Sequence, residues 1–311
     1  MKYTGALLRA LCSAALLGYL LMQIDYAPLA EVLQRFRPPV YVLALLTMTA
    51  YVFAQSYTLH ALLGMRGIPV GFLNMARYNF ISSFFGVFLP GGAGADVVMV
   101  IGLCRTETDK AGVLGAVAFA RVAGLIAMIF LAFVVSLTPW CPVPGVRGVT
   151  GLILVAVLSV VLLIRTGVID AVRKKLFGML SGNRVTSFVD RLLEAFTALS
   201  ASGHGLLRVA PFFLLMALGR GAMDCLVARS LGVDLSFPSF LVFSTVVSLA
   251  TLLPISIAGL GVRELTFAGL FATVGVPQEV AVSVSLLSFS LTLWVCLVGG
   301  VLYAMKGWRR V

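Results

Sequence analysis

The sequence predicts an all-α fold: a polytopic integral membrane helical bundle with two re-entrant broken-helix elements in an inverted-repeat architecture. Three observations support this prediction. Hydrophobic residues make up 60% of the chain and charged residues only 11%, whereas a soluble domain carries about 25% charged residues. The mean hydropathy is +1.07. Two apolar stretches, 85–96 and 252–264, are interrupted in the same order, by Leu-Pro, then glycines, then an acid.

One transmembrane domain over residues 1–311 is expected, with room for roughly eight helices at about 20 residues per crossing. The formal net charge of +11 comes from basic residues scattered in loops between apolar segments. This distribution is typical of cytoplasmic loops that face anionic headgroups, and it argues against nucleic-acid binding. The five cysteines are far apart and form no CxxC site. With His60 and His204 as the only histidines, no metal site and no cofactor is expected.

The first apolar segment, about 5–24, is longer than the 7–15 apolar residues of a signal peptide, so it is interpreted as a membrane helix. A polar connection, 25–39, leads to a second predicted helix at about 40–63. Segment 72–89 could just cross a membrane, but 94–104 is too short to cross at 1.5 Å per residue. Long apolar helices are then predicted at about 111–137 and 148–166.

The most basic soluble stretch runs from Arg165 to Arg208, and its central part, about 167–204, is predicted to be a cytoplasmic loop. All basic loops and both termini can lie in the cytoplasm only if 72–104 enters the membrane and returns to the same side. The sequence therefore favours a re-entrant element there, with residue 183 inside and residue 145 outside. Within the loop, 185–199 reads as an amphipathic helix that lies on the membrane surface or packs on the bundle.

The second half is predicted to repeat this form upside down. Segment 205–231 crosses outward, 236–275 enters from outside with a break at 254–261, and 277–305 crosses back to the basic tail. Two broken elements that are entered from opposite sides are typical of inverted repeats in secondary transporters. Because non-helical backbone in a membrane needs protein or water around its polar groups, both breaks are expected to face a substrate cavity.

Charges at membrane depth give the second indication of a site. Each central charge costs on the order of 2.5–3.5 kcal/mol to insert, so these charges must pair or face water. Arg220 and Asp224 lie four residues apart and can pair on one helix face, either as a structural salt bridge or in a site. Arginine suits phosphate by geometry, whereas Asp96 and Glu264 are open to three roles: counter-charge, proton carrier or site for a cationic headgroup. The predicted substrate-binding residues are Pro90, Gly91, Gly92, Gly94, Asp96, Arg121, Arg220, Asp224, Pro254, Gly259, Gly261, Arg263 and Glu264.

No catalytic motif competes with this interpretation. The sequence contains no GxSxG, no HExxH and no Walker P-loop. The chain is therefore not expected to be an enzyme, and transport driven by ATP would need a partner protein.

Three motifs carry a resemblance to a known family: 89–96 (LPGGAGAD), 120–125 (ARVAGL) and 253–264 (LPISIAGLGVRE). With these motifs the chain resembles the transmembrane, flippase-like domain of the lysylphosphatidylglycerol synthase family. It departs from the family in two places. An arginine is absent shortly after Asp96, and Ala120 stands where the family has an acid before the arginine matched by Arg121. Anion binding is therefore expected to depend more on Arg121 and Arg263 than on the first break.

The resemblance implies movement of a lipid across the bilayer, and in two-domain relatives that lipid is aminoacylated phosphatidylglycerol. Because the sequence ends at Val311 after its last helix, a stand-alone member without the soluble synthetase domain is expected. The expected function is translocation of a polar or anionic lipid in the cell (inner) membrane, with an aminoacylated phospholipid or a polyprenyl-linked lipid as candidates. The expected partners are that lipid and a membrane protein or synthase. Two alternatives stay open: an intramembrane lipid-modifying enzyme that uses Asp96 or Glu264, and an accessory subunit of a glycosyltransferase system.

Overall fold

The structure is a computed structural model that describes residues 36–89, 94–105, 109–139, 146–165, 203–253 and 258–306, together with 34, 107 and 256. These ranges contain nine α-helices and no strand, so the predicted all-α fold is confirmed. The helices are α1 (Pro38–Met65), α2 (Phe72–Gly86), α3 (Gly94–Leu103), α4 (Lys110–Ser136), α5 (Val146–Arg165), α6 (Gly203–Ser230), α7 (Phe237–Thr251), α8 (Val262–Ala272) and α9 (Gln278–Lys306).

Among the described helices, α1, α4, α6 and α9 are long and apolar enough to span a membrane. Large apolar side chains point outward along the bundle, for example Leu46, Leu152 and Leu297, each more than half exposed. An apolar outer surface of this kind is the surface of a membrane protein. The predicted helices at 5–24 and 185–199 lie outside the described residues.

Both predicted breaks are present as interruptions between two short helices. Helices α2 and α7 have 15 residues each, about 22 Å at 1.5 Å per residue, which is shorter than the roughly 30 Å hydrocarbon core. Helices α3 and α8, with 10 and 11 residues, are shorter still. Each short pair packs together, α2 on α3 and α7 on α8. These lengths fit hairpins that enter and leave from one side, but the re-entrant path itself stays a prediction.

The two halves correspond element by element. The order α1, α2, α3, α4 has lengths of 28, 15, 10 and 27 residues, and the order α6, α7, α8, α9 has 28, 15, 11 and 29. The contacts between helices also correspond. In the first half α1 packs on α2, and in the second half α6 packs on α7. Across the halves, α2 packs on α9 and, correspondingly, α7 packs on α4. Helix α5 lies between the halves in sequence and packs on α4.

The ends of α1 and α6 have the same local structure. Gly67 and Gly232 follow the two helices with positive φ angles of 72° and 78°. In each case the next amide donates to the helix five residues back, from Ile68 to Leu63 and from Val233 to Ala228, both at 3.0 Å. This is the Schellman ending, for which glycine is suited because it lacks a Cβ.

Helices α1 and α6 pack against each other in antiparallel orientation. The amide of Arg37 donates to the Ser230 carbonyl at 2.7 Å, and near the other end the rings of Tyr57 and Phe212 lie 4.5 Å apart. The start of each helix therefore lies beside the end of the other. Antiparallel packing of two matched helices agrees with the predicted inverted repeat, which stays a prediction.

The buried apolar residues form two clusters, one for each half. The first contains residues of α2, α3 and α4 with the second half of α1, including Leu62, Met75 and Val113. The other contains residues of α7, α8 and α9 with the second half of α6, including Val227, Phe240 and Phe267. Each cluster is completed by the first half of the opposite long helix.

Candidate functional site

A cavity of about 230 Å³ lies between the two halves. Its wall is formed by residues of α1, α2, α3, α4, α6 and α7. The cavity residues on the long helices lie near the helix centres: Arg121 is the twelfth residue of 27 in α4, and Arg220 is the eighteenth of 28 in α6. The cavity is therefore at mid-depth if these helices span the bilayer.

Asp96 and Arg121 face each other in this cavity. Their oxygen Oδ2 and nitrogen Nη1 are 3.7 Å apart, and their side chains are 26% and 38% exposed. A separation of 3.7 Å is longer than the 2.7–2.9 Å or so of a charge-assisted hydrogen bond. The two charges compensate each other loosely, and both remain accessible to a third group that enters the cavity.

Arg220 brings a second positive charge to the cavity wall. Its Nε is buried and has no hydrogen-bond partner among the described residues. Gln55, the eighteenth residue of α1, occupies the matched position on the antiparallel helix and also lines the cavity. Because a buried, unsatisfied donor is costly, the Nε of Arg220 is a position at which an acceptor would be stabilised.

Asp224 does not serve as the counter-charge of Arg220 in this structure. Its Oδ2 accepts a hydrogen bond from Ser244 at 2.7 Å and its Oδ1 accepts one from Ser288 at 2.9 Å. The side chain is buried, with 2% of the residue exposed. The carboxylate therefore ties α6 to α7 and α9, and the expected pair on one face of α6 is replaced by contacts between helices.

Arg263 and Glu264 follow the second break in a closed network. Arg263 donates from Nε to the Ser285 hydroxyl at 2.9 Å and to Glu264 Oε1 at 3.1 Å, and its guanidinium lies 4.6 Å from the centre of the Phe289 ring. Glu264 also accepts from the Ser285 hydroxyl at 3.0 Å and from the Gly261 amide at 2.6 Å. With side-chain exposures of 7% and 0%, this pair is sealed inside the protein.

The glycines of the first break are required for packing. A methyl group on Gly86 would overlap the backbone of Ala95, and one on Gly94 would overlap the carbonyl oxygen of Gly86. Glycine at these two positions therefore lets the end of α2 touch the start of α3. This contact places Asp96, two residues after Gly94, at the cavity wall.

The backbone of the second break needs glycine for its conformation. Gly259 and Gly261 have φ angles of 76° and 85°, in the region that residues with a Cβ rarely adopt. Ala258 shares this conformation at 53°. The resulting turn directs the Gly261 amide at Glu264, which caps the first turn of α8.

The structure brings three of the predicted site residues to one cavity: Asp96, Arg121 and Arg220. Asp224 is bound by serines of α7 and α9, and Arg263, Glu264 and Gly261 belong to the separate hydrogen-bond network that includes Ser285. Gly94 and Gly259 support the two breaks. Pro90, Gly91, Gly92 and Pro254 lie outside the described residues. The sequence reading missed the uncharged polar residues of the wall, which are Tyr51, Gln55, Thr58, Asn79, Ser248 and Thr251.

One of these missed residues carried a usable signal. Asn79 is an amide within an apolar helix, and its side chain donates to the Val52 carbonyl and the Ser56 hydroxyl of α1 at 3.2 and 3.0 Å. A buried amide in a membrane segment needs such partners, so its presence in the sequence indicates a polar interior surface. The sequence-based prediction of the site used charged residues, so it did not include Asn79.

Comparison with known proteins gives one family assignment. The model of the family described as the lysylphosphatidylglycerol synthase TM region matches residues 6–300, which is nearly the whole chain. No curated protein matches the sequence.

Proposed function

The chain belongs to the family of lysylphosphatidylglycerol synthase transmembrane regions, and from that premise we propose that it moves a lipid with an anionic headgroup across the bilayer. It is a multi-pass membrane protein of this family. The proposal places it in the cell membrane with both termini in the cytoplasm. The chain would act as a non-catalytic translocator.

The observation that carries the proposal is the pair of arginines on one mid-depth cavity. Arg121 and Arg220 both contribute to the wall, and Asp96 is the acid that shares it. Two positive charges and one negative charge leave the wall with an excess positive charge. A phosphate group would restore neutrality and could take two N–H donors from each planar guanidinium.

The spacing of the Asp96–Arg121 pair supports reversible binding. At 3.7 Å the contact between Asp96 and Arg121 is longer than a charge-assisted hydrogen bond, and 38% of the Arg121 side chain is exposed. An entering phosphate would compete with Asp96 for Arg121 and accept from the unpartnered Nε of Arg220. Arg121 and Arg220 already lie inside the folded protein, so binding of a phosphate requires little further desolvation of their two guanidinium groups.

The size of the cavity supports transport of the headgroup alone. About 230 Å³ is below the roughly 300–1,000 Å³ of pockets that enclose whole drug-sized ligands. The acyl or polyprenyl chains would stay in the bilayer against the exposed apolar helices while the headgroup passes through the polar interior. A polyprenyl-linked lipid fits this division of the molecule. An aminoacylated phospholipid fits it through its phosphate group, which would bind the arginines, while its added ammonium group makes the headgroup as a whole zwitterionic or cationic.

Reconstitution into liposomes tests the proposal. Fluorescent phospholipids with anionic and zwitterionic headgroups are incorporated, and the fraction of headgroups that a membrane-impermeant quencher reaches is followed with time. We expect the wild-type protein to accelerate inversion of the anionic lipid, and Arg121→Ala or Arg220→Ala to slow it by about tenfold or more, because each loses a charge-assisted contact. Arg229→Ala is the matched control, since Arg229 is exposed at the end of the same helix α6 as Arg220.

The same experiment separates the competing functions. A chemically altered lipid, detected by mass spectrometry, would instead support a lipid-modifying enzyme. Unchanged inversion with and without protein, together with co-purification of a glycosyltransferase from the membrane, would support an accessory subunit. Either result would overturn the proposal of lipid translocation.

A further inference from the structure

The two halves place matched residues in different environments. Asp96 is the third residue of α3 and Glu264 is the third residue of α8. Asp96 faces the cavity, whereas Glu264 is sealed in the network with Arg263 and Ser285. The same acid position is therefore open in the first half and closed in the second.

Helices α4 and α9 differ in the same way: a residue of α4 that lines the cavity corresponds to a buried residue of α9. Met128, the nineteenth residue of α4, lines the cavity. The nineteenth residue of α9 is Cys296, which is buried with 5% exposed and whose thiol lies 3.4 Å from the Ser83 carbonyl of α2. The position that borders open space in the first half is covered by α2 in the second.

The cause of the closure is visible in how the short helices pack. Helix α2 packs on α9 more extensively than α7 packs on α4. A methyl group on Gly299 would overlap the carbonyl oxygen of Phe80, and Gly300 lies against the Phe84 ring. The glycine pair of α9 lets α2 lie directly on it and fill the space that corresponds to the cavity.

Arg220 connects the open and the closed region. It lines the cavity with Arg121. One turn further along α6, Asp224 accepts a hydrogen bond from Ser288 of α9, and Ser285, three residues earlier on α9, bonds Arg263. Asp224 and these two serines therefore link the helix that carries Arg220 to the network around Arg263. Over the described cavity and the buried groups beyond it, three arginines stand with three acids. The excess positive charge is therefore local to the cavity wall, whose described charged residues are Asp96, Arg121 and Arg220.

We propose that the network around Glu264 is the closed counterpart of the cavity around Asp96, and that the two regions open alternately toward opposite faces of the membrane. An anionic headgroup would be received between Arg121 and Arg220 and released from between Arg220 and Arg263. The opposite direction of the two openings follows from the antiparallel packing of the matched helices α1 and α6. This inference rests on the proposed function for the identity of the cargo, but the conformational exchange can be measured without any lipid substrate.

Cys296 is a natural reporter for this exchange. In a variant in which Cys12, Cys104, Cys141 and Cys225 are replaced by alanine, Cys296 is the remaining thiol. A second protein carries Met128→Cys in addition. Modification by a membrane-impermeant maleimide added to one or the other side of oriented vesicles then reports which region is open. We expect Met128→Cys to react quickly from one face, and Cys296 to react slowly from the opposite face.

Two manipulations should show that opening of one region closes the other. Gly299→Ala pushes α2 from α9, so it should raise the modification rate of Cys296 on the order of tenfold and lower that of Met128→Cys. A bulky maleimide already attached at Met128→Cys holds the first cavity open, so it should suppress the later modification of Cys296. This second measurement uses the native α9 sequence and decides the question even if Gly299→Ala fails to fold. Gly64→Ala, which meets no atom within 4 Å, is the control and should leave both rates unchanged.

Several results would overturn the inference. Cys296 could stay unmodified from both faces, both thiols could react from the same face, or the two rates could rise together, as they would if the bundle merely loosened. A liposome assay in which no lipid is moved while the reciprocal modification persists would reject the lipid cargo and keep the alternating regions. Lipid movement without reciprocal modification would reject the alternation and keep the function.

Discussion

Asp96 and Glu264 occupy the same position in matched helices, the third residue of α3 and of α8, yet Asp96 borders a cavity and Glu264 is fully buried. Each acid has an arginine as its partner. Arg121 comes from α4, 25 residues further along the chain, and leaves a 3.7 Å separation, whereas Arg263 is the neighbour of Glu264 and bonds it directly. The first pair is therefore partly exposed at a cavity, whereas the second is enclosed in the protein interior.

The buried pair should matter most for stability. Glu264→Gln removes the negative charge that compensates Arg263 and weakens the cap on α8, and an uncompensated buried charge costs about 3–5 kcal/mol. We expect a large drop in the midpoint of thermal unfolding in detergent. The midpoint is measured from the loss of the monodisperse peak in size-exclusion chromatography after heating. Glu279→Gln, in the first turn of α9, is the control and should shift the midpoint little. Equal midpoints for the two variants would contradict this assignment.

The serines around Asp224 should contribute smaller amounts. Ser288→Ala and Ser244→Ala each leave one carboxylate oxygen without its donor, at a cost of about 1–3 kcal/mol. Ser283→Ala removes a hydroxyl that bonds only the Glu279 carbonyl of its own helix, so its effect should be much smaller. The same thermal measurement compares the three, and a larger effect of Ser283→Ala would reject the role given to Asp224.

The contact between α2 and α3 should tolerate no side chain. Gly86→Ala forces the two helix ends apart, and overpacking of this kind costs typically about 1–3 kcal/mol. Because Asp96 is positioned by this contact, anionic lipid inversion should fall as well. Gly269→Ala, at a helical glycine with no atom within 4 Å of the added methyl, should leave both properties unchanged. If Gly86→Ala behaved like Gly269→Ala, the packing role of the first break would be wrong.

Lipid inversion should depend on the planar shape of the Arg121 guanidinium as well as on its charge. Arg121→Lys keeps the charge but loses the planar fork that binds phosphate through two donors. Inversion of an anionic lipid should therefore be intermediate between the wild-type protein and Arg121→Ala. The rates are measured in the same liposomes at equal protein density. A lysine variant as active as the wild type would mean that charge alone is sufficient, and it would remove the argument for two-donor binding.

Topology can be tested through residues whose location was predicted from charge alone. Cysteines introduced as Asn183→Cys and Gly145→Cys should react with an impermeant reagent from the cytoplasmic side and from the outside, respectively. The measurement uses intact cells and inverted membrane vesicles. The reverse labelling pattern would reject the predicted orientation of the whole bundle.

Most of the helices could be predicted from the sequence because apolar length is a strong local signal. The predicted segments 40–63, 111–137 and 205–231 match α1, α4 and α6 to within a few residues. Both breaks could be predicted for a similar reason, because proline and glycine within an apolar run are a local sequence pattern that indicates an interrupted helix.

The arrangement of charges could not be predicted in the same way. Spacing along α6 suggested a pair between Arg220 and Asp224, but serines from α7 and α9 bind that carboxylate instead. Likewise, the sequence led to one expectation, anion binding, for both Arg121 and Arg263, although one lines a cavity and the other is enclosed with Ser285 and Phe289. Both differences depend on which distant helices meet, which local patterns do not encode.

A structure determined with an anionic phospholipid in a membrane-like environment tests the central claim most directly. We predict that the headgroup phosphate lies in the cavity, within hydrogen-bond distance of both Arg121 and Arg220, with the hydrocarbon chains outside the bundle. A well-resolved lipid whose headgroup binds elsewhere, while the cavity contains only water, would contradict the account.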